Sequence, residues 1–117
     1  MSRQKKFVII KDSENNCIIR FGYPFYHNDL ISKDELNKYW IRGGFWELDY
    51  ENKTITLYGS SADFGRPNKK DVENGIKNLN DDDYFELKWL IERIFNEEFP
   101  NRDYSDLKNY KFITTYD

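Results

Sequence analysis

The 117-residue chain predicts an α/β (α+β) domain, a mixed β-sheet of about five to six strands with helices packed on it. Three observations lead there. Several short runs rich in β-branched and aromatic residues are bounded by polar turn residues, as strands are. Two or three other stretches begin with capping residues and carry apolar side chains at helical spacing. The two kinds of run do not alternate strictly, so a mixed sheet is expected instead of a doubly wound parallel one. The length fits one domain, residues 1 to 117.

The first run, KFVIIK at 6–11, reads as a strand, and Asp12 to Asn16 supply the turn before a second, CIIRF at 17–21. Gly22 and Pro24 interrupt the pattern. Ser32 and Glu35 form a capping box, and Leu36, Tyr39 and Trp40 behind them sit at helical spacing, predicting a short helix. Gly43 and Gly44 are expected to stop that helix or to mark a tight entry into a strand. FWELD and TITLY then flank YENK, a connection of hairpin length, with Ile55 and Leu57 on one face. A helix is expected over 69–79, weakened by Gly75 at about 1 kcal/mol relative to Ala. Asn80 with Asp81, Asp82 and Asp83 starts a stronger helix, where acceptors and negative charge suit the free N–H groups. Tyr84, Leu87, Ile91, Ile94 and Phe95 give it an apolar face, Pro100 is expected to end it, and YKFITTY is the last strand.

Composition limits the partners. Nine Tyr, nine Phe and three Trp make rings a large part of any core. A net charge of −3 offers no field to draw nucleic acid, so no nucleic-acid partner is expected. No apolar run approaches the roughly 18 residues of a membrane helix and the apolar part of the N-terminus is too brief for a signal sequence, so a cytoplasmic protein without a membrane partner is expected. With one cysteine, Cys17, and one histidine, His27, neither an intrachain disulfide nor a cysteine–histidine zinc site can form. The acidic triplet reads as a cap and not as a metal site, because adjacent helical side chains point apart. No metal and no cofactor are expected.

YGSSADFG at 58–65 has two readings. It is either a hairpin exit, where glycine and serine are common, or a cradle whose successive N–H groups hold a phosphate or carboxylate. His27 likewise is either a surface or hydrogen-bonding residue or the group for acid–base work, being the one side chain that titrates near neutrality. The order of these segments resembles the Janus family. Tyr26, His27 and Asp29 match its Y-H-x-D stretch, Gly43 and Gly44 its glycine pair, and Tyr58, Gly59, Ser61, Phe64 and Gly65 its phosphate loop. The similarity covers residues 5 to 65 and, more loosely, the C-terminal 99–117. Between Gly65 and Pro100 the chain is longer than is usual in the family.

The resemblance implies a phosphohistidine-phosphatase-like fold and a metal-independent hydrolase acting on a phosphorylated protein or a small phosphorylated substrate. It makes His27 the catalytic histidine, either taking a proton from water or attacking phosphorus, with the base role preferred. Lys6, Ser60, Ser61, Ala62 and Asp63 become the phosphate-binding residues, and Arg20 an accessory one. Two positions depart from the family pattern. Phe45 stands where an arginine follows the glycine pair, and Asp63 where a small uncharged residue is usual. Each altered charge at about 4 Å and an effective dielectric near 20 amounts to about 4 kcal/mol before screening. Arg42 and Arg66, adjacent in sequence to the changes, are the candidates to compensate. The alternative is a catalytically silent anion-binding or protein-binding module that meets a protein partner through residues 81–98.

Overall fold

The computed structural model describes residues 3 to 117. Five strands form one mixed sheet: β1 (Lys6–Lys11), β2 (Cys17–Gly22), β3 (Trp40–Asp49), β4 (Thr54–Tyr58) and β5 (Lys111–Thr114). Their spatial order is β2-β1-β3-β4-β5. All neighbours are antiparallel except β4 and β5, which run parallel. Three α-helices accompany the sheet: α1 (Lys33–Lys38), α2 (Lys69–Lys77) and α3 (Asp81–Phe95), with short 3₁₀ turns at His27–Leu30 and Leu107–Asn109. Among the described residues no helix is long and apolar enough to cross a membrane.

Strand alternation divides the molecule. Phe7, Ile9, Trp46, Ile55 and Leu57 point to one face and pack with Val72 of α2 and Leu87, Leu90 and Ile91 of α3 in the main core. Val8, Ile10 and Ile41 point to the other face and form a smaller cluster with Leu30, Ile31 and Phe64. The Trp46 indole N–H is shared between the carbonyls of Lys6 and Gly22, each at 3.1 Å, which ties three adjacent strands together. Burial of so large a ring together with its N–H partners makes Trp46 the anchor of the sheet.

Three sequence expectations are corrected. The helix capped by Ser32 ends at Lys38 and buries no residue; Leu36 and Tyr39 are exposed and Trp40 already belongs to β3. Gly43 and Gly44 neither end a helix nor begin a strand, because β3 runs through them. α3 ends at Phe95, five residues before Pro100. Gly75, a cost in an isolated helix, has a packing reason: a Cβ there would come within 3.2 Å of Ile19 and Ile9, so its absence lets α2 lie close on β1 and β2.

The outer edge of β2 is partly closed by side chains of α2 and of Asn78, the residue that caps its C-terminus. Asn74 accepts the Cys17 N–H at 2.8 Å and Asn78 donates to the Cys17 carbonyl at 2.8 Å. These amides do what a neighbouring strand would do at that residue. Burial pushes the Cys17 thiol up to about 11, so it stays protonated and unreactive.

Candidate functional site

The site is built around the paired glycines of β3. A Cβ on Gly43 would lie 2.8 Å from Cδ2 of His27 and 3.2 Å from Cβ of Ser61. The imidazole and the serine of the 58–65 loop therefore meet over the same residue, on the sheet face of Val8 and Ile41. Gly44 points the other way, where Phe7 and the Tyr116 hydroxyl occupy the space a side chain would need. Only glycine lets both approaches happen on consecutive residues.

His27 opens the 3₁₀ turn, which is closed by Asp29 accepting the Tyr26 N–H at 3.1 Å. The ring is 4% exposed, and its Nε2 lies 2.8 Å from the Gly44 carbonyl. A carbonyl only accepts, so Nε2 carries the proton and the neutral ring keeps its lone pair on Nδ1. Nδ1 makes no hydrogen bond among the described residues. Burial lowers the pKa of His27 below the usual 6.5; the Gly44 carbonyl opposes this, the Lys6 charge adds to it, and the Asp63 carboxylate opposes it. The imidazole is thus held neutral near pH 7 with one basic nitrogen free.

Lys6 lies on the same face, paired in register with Phe45. It is 5% exposed, its ammonium donates to the Pro24 carbonyl at 3.2 Å, and desolvation lowers its pKa against the pull of Asp29. The loop is stitched to β3 by backbone bonds: Ser61 N–H to the Gly43 carbonyl at 2.8 Å and Gly43 N–H to the Gly65 carbonyl at 3.1 Å. Gly65 N–H closes the turn on the Ser61 carbonyl at 2.8 Å. Positive φ angles at Gly59 (76°) and Gly65 (86°) allow these bends.

Within the loop, Ser61 Oγ accepts the N–H groups of Asp63 at 3.2 Å and Phe64 at 3.1 Å. The serine oxygen takes two of the donors that the sequence assigns to a bound anion or places beside it. Ser60 and Ala62 are exposed, and their N–H groups make no hydrogen bond among the described residues. A hydroxyl that accepts two amide bonds is polarised and becomes a stronger donor through its own proton.

The three accessory arginines are engaged by other groups, although Arg42 also runs along the loop, its Cδ and Nε 3.5 Å from where a Cβ on Gly65 would stand. Arg20 donates to the Leu30 carbonyl at 2.7 Å and forks onto Glu35 at 3.0 and 2.9 Å, holding that carboxyl down at about 2. Its work is to fasten the 3₁₀ turn and α1 to β2. Arg42 pairs with Ile9 in register, which puts it on the main-core face, with its guanidinium 4.1 Å from the Trp40 ring. Arg66 stacks 4.8 Å from the ring of Tyr116, on that same side. Arg20, paired in register with Val8, shares the His27 face but is committed to Glu35, and Lys6 is the cation whose charge acts on the imidazole.

Phe45 fills the remaining flank. Its ring centroid is 5.3 Å from that of His27 in an edge-on arrangement and 5.8 Å from that of Tyr58. A Cβ on Gly59 would touch the Phe45 ring at 2.8 Å, so the loop glycine makes room for it. No protein-family model matches the chain, and no curated protein or solved structure matches it. The reading of the site rests on its own chemistry.

Two features escaped the sequence. The Gly44 carbonyl, which fixes the imidazole tautomer, carries no side-chain signal. Ser61 Oγ as the internal partner of its loop follows from an Ser-x-x turn that the sequence equally allows as open. A depression of about 1000 Å³ runs between β2 and α3 and is lined by Asp29 and Leu30 but not by His27. Among the described residues no three His, Cys, Asp or Glu side chains converge as a metal-ligand group.

Proposed function

We propose that this protein hydrolyses phosphohistidine or a related phosphoramidate or phosphoester, with His27 as general base. The observation that carries the reading is the fixed imidazole: Nε2–H is held by the Gly44 carbonyl, Nδ1 is free, and Ser61 and Lys6 lie on the same face. A neutral histidine with one oriented basic nitrogen is what proton removal from an attacking water requires. The Ser61 hydroxyl, the free N–H groups of Ser60 and Ala62, and the Lys6 ammonium are the donors for phosphoryl oxygens, and they act where charge builds up during transfer.

The expected result is hydrolysis of a phosphohistidine peptide that falls about 10²- to 10⁴-fold in His27→Ala, while circular dichroism and the urea midpoint report a folded chain. Turnover that persists in the folded variant contradicts the proposal. So does a wild-type protein that neither turns over substrate nor binds phosphate.

A second reading has its own observation. Phe85 and Trp89, one helical turn apart on α3, are 69% and 58% exposed, and two loop amides already have Ser61 as partner. These features support a catalytically silent module that meets a protein partner through residues 81–98. Under that reading His27→Ala leaves partner binding unchanged and Trp89→Ala weakens it.

A further inference from the structure

We propose that Tyr116 is a positioning residue of the His27 site: from the far side of the sheet, its hydroxyl aims the Ser60 N–H at the bound phosphoryl group. The proposal rests on the hydrolytic reading above and deepens it. Tyr116 is buried in the main core, and its hydroxyl approaches Gly44 on the face away from His27. There the hydroxyl donates to the Gly59 carbonyl at 2.8 Å. Burial raises the Tyr116 pKa, so the group stays a donor at neutral pH.

The Gly59 carbonyl and the Ser60 N–H belong to one peptide unit. No cis peptide occurs among the described residues, and in a trans unit the two groups point in opposite directions. A bond that draws the carbonyl to the core side therefore turns the N–H to the other side, where Ser61 and His27 lie. The Ser60 N–H makes no hydrogen bond among the described residues, as a donor kept for an oxyanion must. The unit needs an outside hold, because it follows Gly59, whose backbone, at φ 76°, turns more freely than any other residue type allows. Ala62 is aimed by a different bond: its N–H shares a unit with the Ser61 carbonyl, which accepts the Gly65 N–H at 2.8 Å.

Packing alone does not call for the hydroxyl. The buried hydroxyls of Tyr104 and Tyr110 have no partner among the described residues, so this core tolerates unpaired phenols. The Tyr116 ring packs edge-on to Phe7 and stacks with Arg66, just beyond the loop. Phenylalanine would keep both contacts and lose the hold on the Gly59 carbonyl.

Tyr116→Phe tests the assignment, with inorganic phosphate as the probe and backbone-amide NMR as the readout. In the wild type phosphate is expected to shift both Ser60 and Ala62. In the variant the Ser60 shift is expected to disappear and the Ala62 shift to remain. The kcat for a phosphohistidine peptide is expected to fall about 10- to 100-fold with KM little changed. A Ser60 response like that of the wild type, or joint loss of both responses in a variant that circular dichroism shows to be folded, overturns this inference alone. If the variant does not fold, residual dipolar couplings of the wild type decide: a Ser60 N–H directed to the Tyr116 side overturns the inference, and one directed away upholds it. A wild type with neither a phosphate response nor turnover defeats the reading of the site, and the inference with it.

Discussion

Gly43 and Gly44 are neighbours on β3, yet they face two differently built environments. On the Gly44 side lie Phe7, Tyr116 and, two residues along, Trp46, in a core where packing governs position. On the Gly43 side lie the buried His27, held by one hydrogen bond to a backbone carbonyl, and Ser61, held by several to backbone groups of its loop and of Gly43. The same glycine pair serves both, but the energetic logic differs. Loss of a contact on the core face costs stability, while on the polar face it misplaces a proton acceptor. Burying polar groups is tolerable only because each has a partner. A residual asymmetry sharpens the contrast: the buried hydroxyls of Tyr104 and Tyr110, which have no hydrogen-bond partner among the described residues, sit on the core side and not at the site.

The largest effect belongs to the core face. Trp46→Ala removes a fully buried ring and both bonds of its N–H. It is expected to cost about 3–5 kcal/mol, read as a shift of the urea midpoint. If stability barely moves, the division into a packing face and a positioning face is wrong.

Gly43→Ala strikes the other face. Its new Cβ would stand 2.9 Å from the Phe7 carbonyl, which cannot swing aside, and 2.8 Å from the imidazole. A smaller stability loss, about 1–3 kcal/mol, is expected together with displacement of the His27 resonances and loss of hydrolysis. Preserved resonances would show that the ring does not depend on that glycine.

A still smaller effect attaches to the clamp that carries His27. Arg20→Ala is expected to cost about 1–2 kcal/mol at neutral pH, since the pair is bidentate but half-open to water. The sign in acid follows from Glu35, whose carboxyl is held at about 2 instead of the usual 4.5. Stability from this group is complete above pH 4.5 and is lost as pH falls toward 2. The variant should lose that part of the acid sensitivity, as acid-melting curves would record, and identical curves would sever the clamp from stability.

The strands were legible because their β-branched runs and turn residues are local signals. Residues 6–11 and 54–58 match the sequence reading in their limits. The order of strands was not, since pairing of β1 between β2 and β3 depends on contacts far apart in sequence. The glycine pair misled for a related reason: locally it reads as a breaker, and only the arrival of His27 and Tyr116 on opposite faces explains glycine within a strand. Leu36, Tyr39 and Trp40 mimicked a helical face because a strand begins where the helical spacing continues. At the site, the residue types were readable and their occupancy was not. Once β3 is known to start at Trp40, alternation alone puts Arg42 on the face away from Lys6.

As the sole histidine of the chain, His27 can be followed without ambiguity by nitrogen-edited NMR during a pH titration and on addition of inorganic phosphate. The expected spectrum at pH 7 is a neutral Nε2–H tautomer that protonates only below 6.5, with phosphate shifting the ring together with the amides of Ser60 and Ala62. Because the folded chain favours the neutral ring, its contribution to stability is complete above pH 6.5 and declines as pH drops through the lowered value. An Nδ1–H tautomer, or phosphate that moves the ring and neither amide, would contradict the account.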